Sequence, residues 1–576
     1  MLHEYFPPSV QSGESSTVSK PPSEPYLRAI PLGGCGEVGR NMTAYETNDD
    51  IVVVDAGVQF PEEEMLGVDL VINDLSYLLE RKKKVRALLL THAHEDHVGG
   101  VPYFLAQLDV PVYGTDVTLA LLRGKLKEHK LVGRTETIVV EPGDEVQLGS
   151  ITARFIHITH SIFGNCSLAL RTPLGVVVHT GDFKFDQTPI DGRPTDMATF
   201  ARYGDDGVLL LASDSTNAEI PGHTPSERVV GETFADIFAR CEGRIIVTMF
   251  ASNVPRLQQT VDAAARHNRK VCFVGRSMMN VANIAIEHGY LRLEHGQQIR
   301  EHELDDFPPE RIVICTTGSQ GEPTSALVRM AARDHKRVRL VRGDTVIVSA
   351  TPIPGNERSV GRTINNLFKL GVNVIYGKER MAHVSGHGCQ EELLLMLNLT
   401  RPKYFMPVHG EYRMLVQHAR LAQKTGIEAG DVYVVENGDV LQFTRAGVER
   451  VGKTFGGPVF VDGLGVGDVG TVVLRDRRHL SEDGMIILTV TIDSSDGKVL
   501  AGPDVTSRGF TYDSTTDGDG IIDEVKRRAA EIIEDGARRG LTEWTAIREH
   551  LHKGVQKFVF DRTKRRPMIL PVVTEV

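Results

Sequence analysis

Thr91-His92-Ala93-His94-Glu95-Asp96-His97-Val98-Gly99-Gly100 is the stretch that decides the fold of this chain. Three imidazoles and two carboxylates lie within six residues, directly after the apolar run 85–90, which predicts a buried strand. Side chains this polar are rarely buried without partners, and neutral imidazole and carboxylate bind divalent metal ions readily. The stretch therefore predicts a metal site at the end of a strand, with a solvated loop as the alternative.

The composition is that of a globular protein with several domains. A chain of 576 residues is too long for a single core. The 65 basic and 76 acidic residues give a net charge of −11, so any nucleic-acid partner would need local positive patches. Six cysteines without CxxC spacing favour buried thiols in a reducing cytoplasm. No apolar stretch is long enough for a membrane span, so we expect a cytoplasmic protein without a membrane partner.

Further polar residues follow other predicted strands of the first part of the chain. The predicted strands include 151–158, 175–178 and 208–211, which His160, Asp182 and Asp214 follow, and a later apolar strand that ends at His409. Strand ends are where open α/β sheets and metallo-hydrolase sandwiches place their sites. The glycine-rich run 33–39 matches neither phosphate-binding pattern and is interpreted as tight turns between strands.

From residue 226 the pattern alternates between helix and strand, which predicts a second α/β domain with a parallel sheet. Strands are predicted at 244–249, 270–274, 311–315 and 345–349, and helices include 226–240 and 255–265. Small polar loops follow these strands at 251–253, 275–277, 316–323 and 351–355. Each loop alone is an ordinary turn, but four together favour a shared ligand-binding face.

The domain boundaries are predicted from these changes of pattern. We also predict a helix at 99–108, strands at 432–435 and 440–443, and a C-terminal α/β unit with strands at 485–492 and 568–573 and helices at 521–539 and 542–558. The domains are a disordered tail (1–25), a first domain in two parts (26–227 and 388–455), an inserted parallel-sheet domain (228–387), a linker (456–476) and a C-terminal domain (477–576).

The order and spacing of the polar residues resemble the metallo-β-lactamase fold, an αββα sandwich. The resemblance implies that His92, His94 and His160 bind one ion, that Asp96 and His97 bind the other, that Asp182 bridges the two, and that Asp55 orients the loop. The last ligand has two candidates. His223 lies a few tens of residues after Asp182, as in the simple members of the fold, whereas His409 lies at the end of an apolar strand, which favours it.

With His409 as the last ligand, a whole domain is inserted into the ligand set, and this resembles the β-CASP nucleases. Their additional motifs match Asp214, His387 in Ser-Gly-His and His409 in Val-His-Gly-Glu. The loop 316–323, the order His-Val-Ser-Gly-His at 383–387 and the extra C-terminal domain resemble the bacterial ribonuclease J family in particular.

This resemblance implies a metal-dependent ribonuclease that degrades single-stranded RNA from 5′-monophosphate ends in the 5′→3′ direction, with endonuclease activity also expected, in mRNA turnover and rRNA maturation. Two divalent ions are implied, zinc first and manganese as the alternative. Asp96, His387 and Asp214 are the implied catalytic residues. The expected RNA-binding residues are His383, Val384, Ser385, Gly386, Ser319, Gln320, Glu322, Ser252, Asn253 and Arg276. A homodimer and RNA-degradation partners are further expectations.

Two other functions remain open from the sequence. The first is a small-molecule hydrolase acting on thioesters or lactams, for which His223 would be the last ligand. The second is a non-catalytic RNA-binding scaffold, although every ligand position is filled.

Overall fold

The computed structural model describes residues 18–62, 64–353, 355–377, 381–463, 465–493, 498–511, 520–539, 541 and 543–576. Most of the predicted N-terminal tail, and Pro354 of the loop 351–355, lie outside these residues. The chain divides into two compact units, 1–60 with 70–459, and 61–69 with 460–576.

A sandwich of two mixed sheets forms the first part of the larger unit. The eight-stranded sheet has the order Gly447–Lys453, Asp439–Thr444, Leu27–Gly33, Met42–Glu46, Ile51–Val54, Val85–Leu89, Val112–Gly114, Thr137–Val139. The six-stranded sheet has the order Tyr404–Val408, Val208–Asp214, Gly175–His179, Cys166–Thr172, Ile151–His157, Glu145–Leu148. Side chains from both sheets share one buried cluster, to which Val54, Phe155 and Met406 belong. The sandwich core therefore lies between the sheets.

Helices pack on the outer faces of this sandwich, which completes the predicted αββα arrangement. Buried side chains of one set share a cluster with the eight-stranded sheet. Those of the other set share a cluster with the six-stranded sheet. The helices of the first set are Ser76–Glu80, Val101–Leu105 and Asp116–Glu128, and those of the second are Met197–Asp206, Gln390–Thr400 and Tyr412–Lys424.

A six-stranded parallel sheet forms the inserted domain, as predicted. Its order is Gln298–Ile299, Lys270–Val274, Ile312–Thr316, Ile245–Thr248, Thr345–Val348, Asn373–Ile375. Arg228–Arg240, Val254–Arg266 and Arg276–Glu287 pack on one face, and Ala326–Ala331 and Glu357–Lys369 on the other. Since all strands run in one direction, the loops that follow them lie at one edge of the sheet. Short 3₁₀ helices in this domain occupy Glu301–Asp306 and Pro309–Arg311. Another occupies Ala429–Asp431, between the helix Tyr412–Lys424 and the strand Asp439–Thr444.

The smaller unit contains an independent core. Met485–Ile492 is the central strand, paired antiparallel with Val499–Arg508 and parallel with Met568–Glu575. The helices Ile521–Arg538 and Trp544–Thr563 contribute to one buried cluster with this sheet. A further helix spans Thr471–Asp483. Among the helices that the structure describes, none has the length and apolar character needed to cross a membrane.

Two local predictions are wrong. Residues 432–435 form no strand, because only Val432 makes an isolated bridge, to Phe405. The segment 99–108 is not one helix, since short helices occupy Glu95–Val98 and Val101–Leu105. The predicted linker 456–476 contains the short strands Pro458–Asp462 and Gly465–Val466 and the beginning of the helix Thr471–Asp483.

Candidate metal centre

Asp55 fixes the start of the histidine-rich loop. It follows the strand Ile51–Val54, which pairs in parallel with Val85–Leu89. Its Oδ1 accepts a hydrogen bond from the Thr91 amide (2.8 Å), and its Oδ2 accepts one from the Thr91 hydroxyl (2.8 Å). The backbone of Asp55 has φ 60°, a conformation that is costly for a residue with a Cβ and that is often found at functional sites.

One group of side chains surrounds Oδ2 of Asp182. Nε2 of His92 and Nε2 of His160 each lie 3.6 Å from this oxygen. Nδ1 of His94 lies 3.0 Å from Nε2 of His92 and 3.1 Å from Nε2 of His160. The ligand atoms of these four residues all lie within 4.8 Å of one another.

A second group surrounds Oδ1 of the same carboxylate. Nε2 of His97 and Nε2 of His409 lie 3.2 and 3.3 Å from this oxygen. Oδ2 of Asp96 lies 3.3 Å from Nε2 of His409. Glu95, the remaining acid of the loop, forms an ion pair with Lys125 at 2.6 Å and belongs to neither group.

The two groups fit a pair of divalent ions. Oδ1 of Asp182 is buried and makes no hydrogen bond to any residue that the structure describes, which is rare for a buried carboxylate oxygen. Nitrogen and carboxylate oxygen are suitable donors for zinc and, through the carboxylates, for manganese. Each group would offer three side chains of its own to an ion, and the two oxygens of Asp182 face the two groups.

In four histidines, hydrogen bonds at Nδ1 direct Nε2 toward Asp182. Nδ1 of His97 donates to Asp55 Oδ2 (2.7 Å), and Nδ1 of His160 donates to the Gly386 carbonyl (2.7 Å). Nδ1 of His92 lies 3.0 Å from the Thr91 hydroxyl, and Nδ1 of His409 lies 2.7 Å from the Thr216 hydroxyl. Such contacts fix the tautomer and ring orientation of metal-binding histidines.

The two groups differ in charge. Burial lowers the pKa of His92 and of His160 well below the usual value, and it lowers the pKa of His94 to about 4. These rings are neutral at neutral pH and ready to bind a cation. In the second group burial also opposes protonation, but nearby carboxylates outweigh it. They raise the pKa of His97 well above its usual value and that of His409 to about 9.

His387 lies at the edge of this centre beside Asp214. Its Nδ1 donates to Asp214 Oδ2 at 2.7 Å, while its Nε2 lies 3.9 Å from Asp182 Oδ2. Burial opposes protonation of His387, but Asp214 and Asp182 outweigh it and raise the pKa of the imidazole. Asp214 thus orients a histidine and favours its protonated form.

Of the two candidates for the last ligand, His409 alone lies in the centre. Tyr404–Val408 pairs in parallel with Val208–Asp214, which carries His409 next to Asp214. His409 has φ 54°, so it is, with Asp55, a second residue at the centre in a left-handed conformation. His223 is exposed and belongs to none of the candidate ligand groups among the described residues.

The expected RNA-binding residues are only partly brought to the centre. The segment 383–387 touches it, because the Gly386 carbonyl contacts His160. Gln320 is buried and binds the loop 351–353, donating to the Thr351 carbonyl (3.0 Å) and accepting from the Ile353 amide (2.7 Å). Asn253 is also buried and caps a helix by accepting from the Arg256 amide at 3.0 Å. Ser252, Ser319 and Glu322 lie in the loops at the same sheet edge, and Arg276 is the first residue of the helix Arg276–Glu287, which follows Lys270–Val274 at that edge. RNA binding by these residues stays a prediction.

Several residues of the centre have no clear signal in the sequence. Asn41 contacts Nε2 of His97 (3.1 Å) and donates to the Asp96 carbonyl (3.1 Å). Asn217, three residues after Asp214, donates to the His387 carbonyl at 2.9 Å. Only their closeness to glycine-rich or acidic motifs could have indicated them, because their roles depend on contacts between distant segments.

Four family models together match most of the chain. They are the metallo-β-lactamase superfamily at residues 35–231, the ribonuclease J β-CASP domain at 242–367, the Zn-dependent metallo-hydrolase RNA specificity domain at 371–434 and the ribonuclease J C-terminal domain at 472–576.

Full-length relatives agree with these matches. The chain is 42% identical to ribonuclease J2 of Bacillus subtilis (strain 168) over 96% of its own length and 99% of that protein. It is 43% identical to ribonuclease J 1 of Streptococcus pyogenes serotype M3 over 97% of its own length and 99% of that protein. A crystal structure of a protein of unknown function from Enterococcus faecalis V583 matches with a TM-score of 0.53 and 16% identity, covering 73% of this chain and all (100%) of that one, which shows the fold alone. The chain therefore belongs to the ribonuclease J family of metal-dependent nucleases, as its motifs predict.

Proposed function

We propose that the protein hydrolyses single-stranded RNA at a two-metal centre, removing nucleotides in the 5′→3′ direction from 5′-monophosphate ends and also cleaving internally. The observation that carries this proposal is the carboxylate of Asp182, whose two oxygens face two separate groups of ligands. The direction of degradation, the internal cleavage and the roles in mRNA turnover and rRNA maturation rest on the resemblance to ribonuclease J.

In this proposal His92, His94 and His160 hold one ion, and Asp96, His97 and His409 hold the other, with Asp182 between them. When bound, such ions activate water and neutralise charge on the phosphoryl group. Zinc is the expected metal because histidine dominates the ligand set, and manganese is the alternative because of the carboxylates.

The protein supplies two further functions around the ions. Asp96 accepts the proton of the attacking water, and His387, kept protonated by Asp214, donates a proton to the leaving 3′ oxygen. The segment 383–386 holds a substrate phosphate through hydroxyl and backbone groups. A homodimer, cytoplasmic location and association with other RNA-degrading proteins complete the proposal.

Cleavage assays on RNAs that differ only at the 5′ end test this proposal. Wild-type protein with added zinc or manganese should release mononucleotides from the 5′-monophosphate RNA and act more slowly on the 5′-hydroxyl form. Asp182→Asn should abolish turnover. Asp236→Asn is the matched control, because Asp236 lies on the surface in an exposed pair with Arg240. Equal cleavage by Asp182→Asn and wild type would refute the proposal.

The same assays distinguish the other functions. A thioester or lactam hydrolase would turn over those substrates and leave RNA intact, and it would need His223 rather than His409. A scaffold would bind RNA without metal-dependent turnover. The exposed position of His223 and the complete ligand groups oppose both.

A further inference from the structure

Arg256 is a buried cation that the proposed reaction does not use. Its side chain is 0% exposed, and that of its partner Glu227 is 5% exposed. Arg256 Nε and Nη2 each donate to one carboxylate oxygen of Glu227 at 2.8 Å, which is a bidentate pair. A buried charge pair is costly to form and is weak evidence of a purely stabilising role, so its remaining contacts are informative.

Those remaining contacts reach the beginning of the segment 382–388. Nη1 of Arg256 lies 2.6 Å from Nδ1 of His383 and donates to the Ser349 carbonyl at 3.0 Å. Nη2 donates to the Val384 carbonyl at 3.2 Å. Because a guanidinium only donates, Nδ1 of His383 accepts, and the proton of the neutral ring is on Nε2. Arg256 therefore fixes both the backbone at Val384 and the tautomer of His383.

Different residues hold the end of the same segment. Asn217 donates to the Ser385 hydroxyl (2.9 Å) and to the His387 carbonyl (2.9 Å). The Thr224 hydroxyl donates to the His387 carbonyl at 2.6 Å. Both residues follow the strand Val208–Asp214 of the sandwich, whereas Arg256 belongs to the helix Val254–Arg266 of the inserted domain.

We propose that the segment 382–388 is positioned in two independent halves. Arg256, held by Glu227, positions His383 and Val384 to bind a substrate phosphate, with Nε2–H of His383 as a donor. Asn217 and Thr224 position His387 for the chemical step. This inference rests on the proposed function, and it assigns Arg256 to substrate binding and Asn217 to turnover.

Two substitutions separate these roles. Arg256→Lys keeps the charge opposite Glu227 but removes the fork that reaches His383 and Val384. We expect the dissociation constant for a phosphorothioate 5′-monophosphate oligonucleotide to rise about 10-fold, with saturating single-turnover rates on RNA unchanged within about 3-fold. Asn217→Ala should lower that rate about 10-fold and leave the dissociation constant within about 3-fold of wild type.

Arg244→Lys is the matched control. Arg244 forms a bidentate pair with Asp344 (2.9 and 2.6 Å), and both residues precede strands of the parallel sheet, at the edge opposite the loops. This variant should lower the unfolding temperature while binding and rate stay at wild-type values. If Arg256→Lys does not fold, Glu227→Gln is the second variant, with the same expected loss of binding.

The outcomes are distinct. If Arg256→Lys and Asn217→Ala change the same constant by similar factors, or if Arg256→Lys behaves like Arg244→Lys, the division into two halves is wrong. Absence of RNA cleavage by the wild type would instead overturn the proposed function. In that case an unchanged dissociation constant for Arg256→Lys would still overturn this inference separately.

Discussion

Gly386→Ala is expected to disturb the metal centre without straining the backbone. Gly386 does not have a positive φ, so alanine can adopt its conformation. The added Cβ would, however, lie 2.5 Å from Cε1 and 2.7 Å from Nδ1 of His160, and 2.7 Å from the Ser161 hydroxyl. The methyl group therefore meets the ring of a proposed ligand, at the place where Nδ1 donates to the Gly386 carbonyl.

The size of the effect follows from these distances. Ordinary van der Waals contact begins near 3.4 Å, so the imidazole and the segment must separate by roughly 0.9 Å. Overpacking of this kind costs about 1–3 kcal/mol of stability. Loss of a hydrogen bond that orients a metal ligand typically weakens metal binding or activity by about 10–100-fold. We expect the weakened binding at the His92, His94 and His160 group.

Chelator competition with zinc, read together with thermal unfolding of the metal-free protein, measures the two effects separately. Gly361→Ala is the matched control, because Gly361 lies in the helix Glu357–Lys369, where an added Cβ would meet no atom within 4 Å beyond the adjoining residues and backbone of that helix. That substitution should gain about 0.5–1 kcal/mol of stability and leave metal binding unchanged. Wild-type zinc affinity and cleavage rate in Gly386→Ala would refute the reasoning.

Three further outcomes are expected. His409→Ala should lower bound zinc from two equivalents toward one by elemental analysis, whereas His223→Ala should retain both; equal stoichiometries would contradict the assignment. Carboxylates raise the pKa of His409 to about 9, so a cation must displace a proton from this ring at neutral pH. The zinc affinity of the group formed by Asp96, His97 and His409 should therefore increase between pH 6 and 9. The group of His92, His94 and His160, in which the pKa of His94 is about 4, should show no such increase. Equal slopes of zinc affinity against pH for the two groups, measured by chelator titration, would argue against this asymmetry. Asp214→Asn removes the carboxylate that raises the pKa of His387, so the alkaline limb of the rate profile should move to lower pH; an unmoved limb would exclude His387 as the acid.

The sequence predicts much of this architecture because the relevant signals are local. The strand Lys270–Val274 has the predicted bounds, since a short apolar run between polar residues has few alternatives. Motif residues at strand ends meet in space because parallel strands bring their carboxyl ends together. The preference for His409 over His223 also rests on a local signal, because an apolar strand directly precedes His409.

Other features depend on long-range contacts that local patterns do not encode. Residues 432–435 have strand propensity, but Val435 is buried in the sandwich core without a ladder of hydrogen bonds. The strand Val499–Arg508 contains Gly502 and Pro503, which local rules disfavour in strands. The sequence does not indicate the role of Arg256, because the effect of a buried charge depends on the distant groups that it contacts.

The sheet position of Tyr404–Val408 has a consequence for synthesis of the protein. This strand lies at the edge of its sheet beside Val208–Asp214, almost two hundred residues earlier in the chain, and His409 follows it directly. A nascent chain emerging from the ribosome has six of the seven proposed ligands once Asp182 has been made. It still lacks His409 and the two paired strands Val208–Asp214 and Tyr404–Val408. The centre stays incomplete until the inserted domain and then His409 have been translated. A growing chain therefore cannot assemble the full centre until more than two thirds of its own coding sequence has been translated.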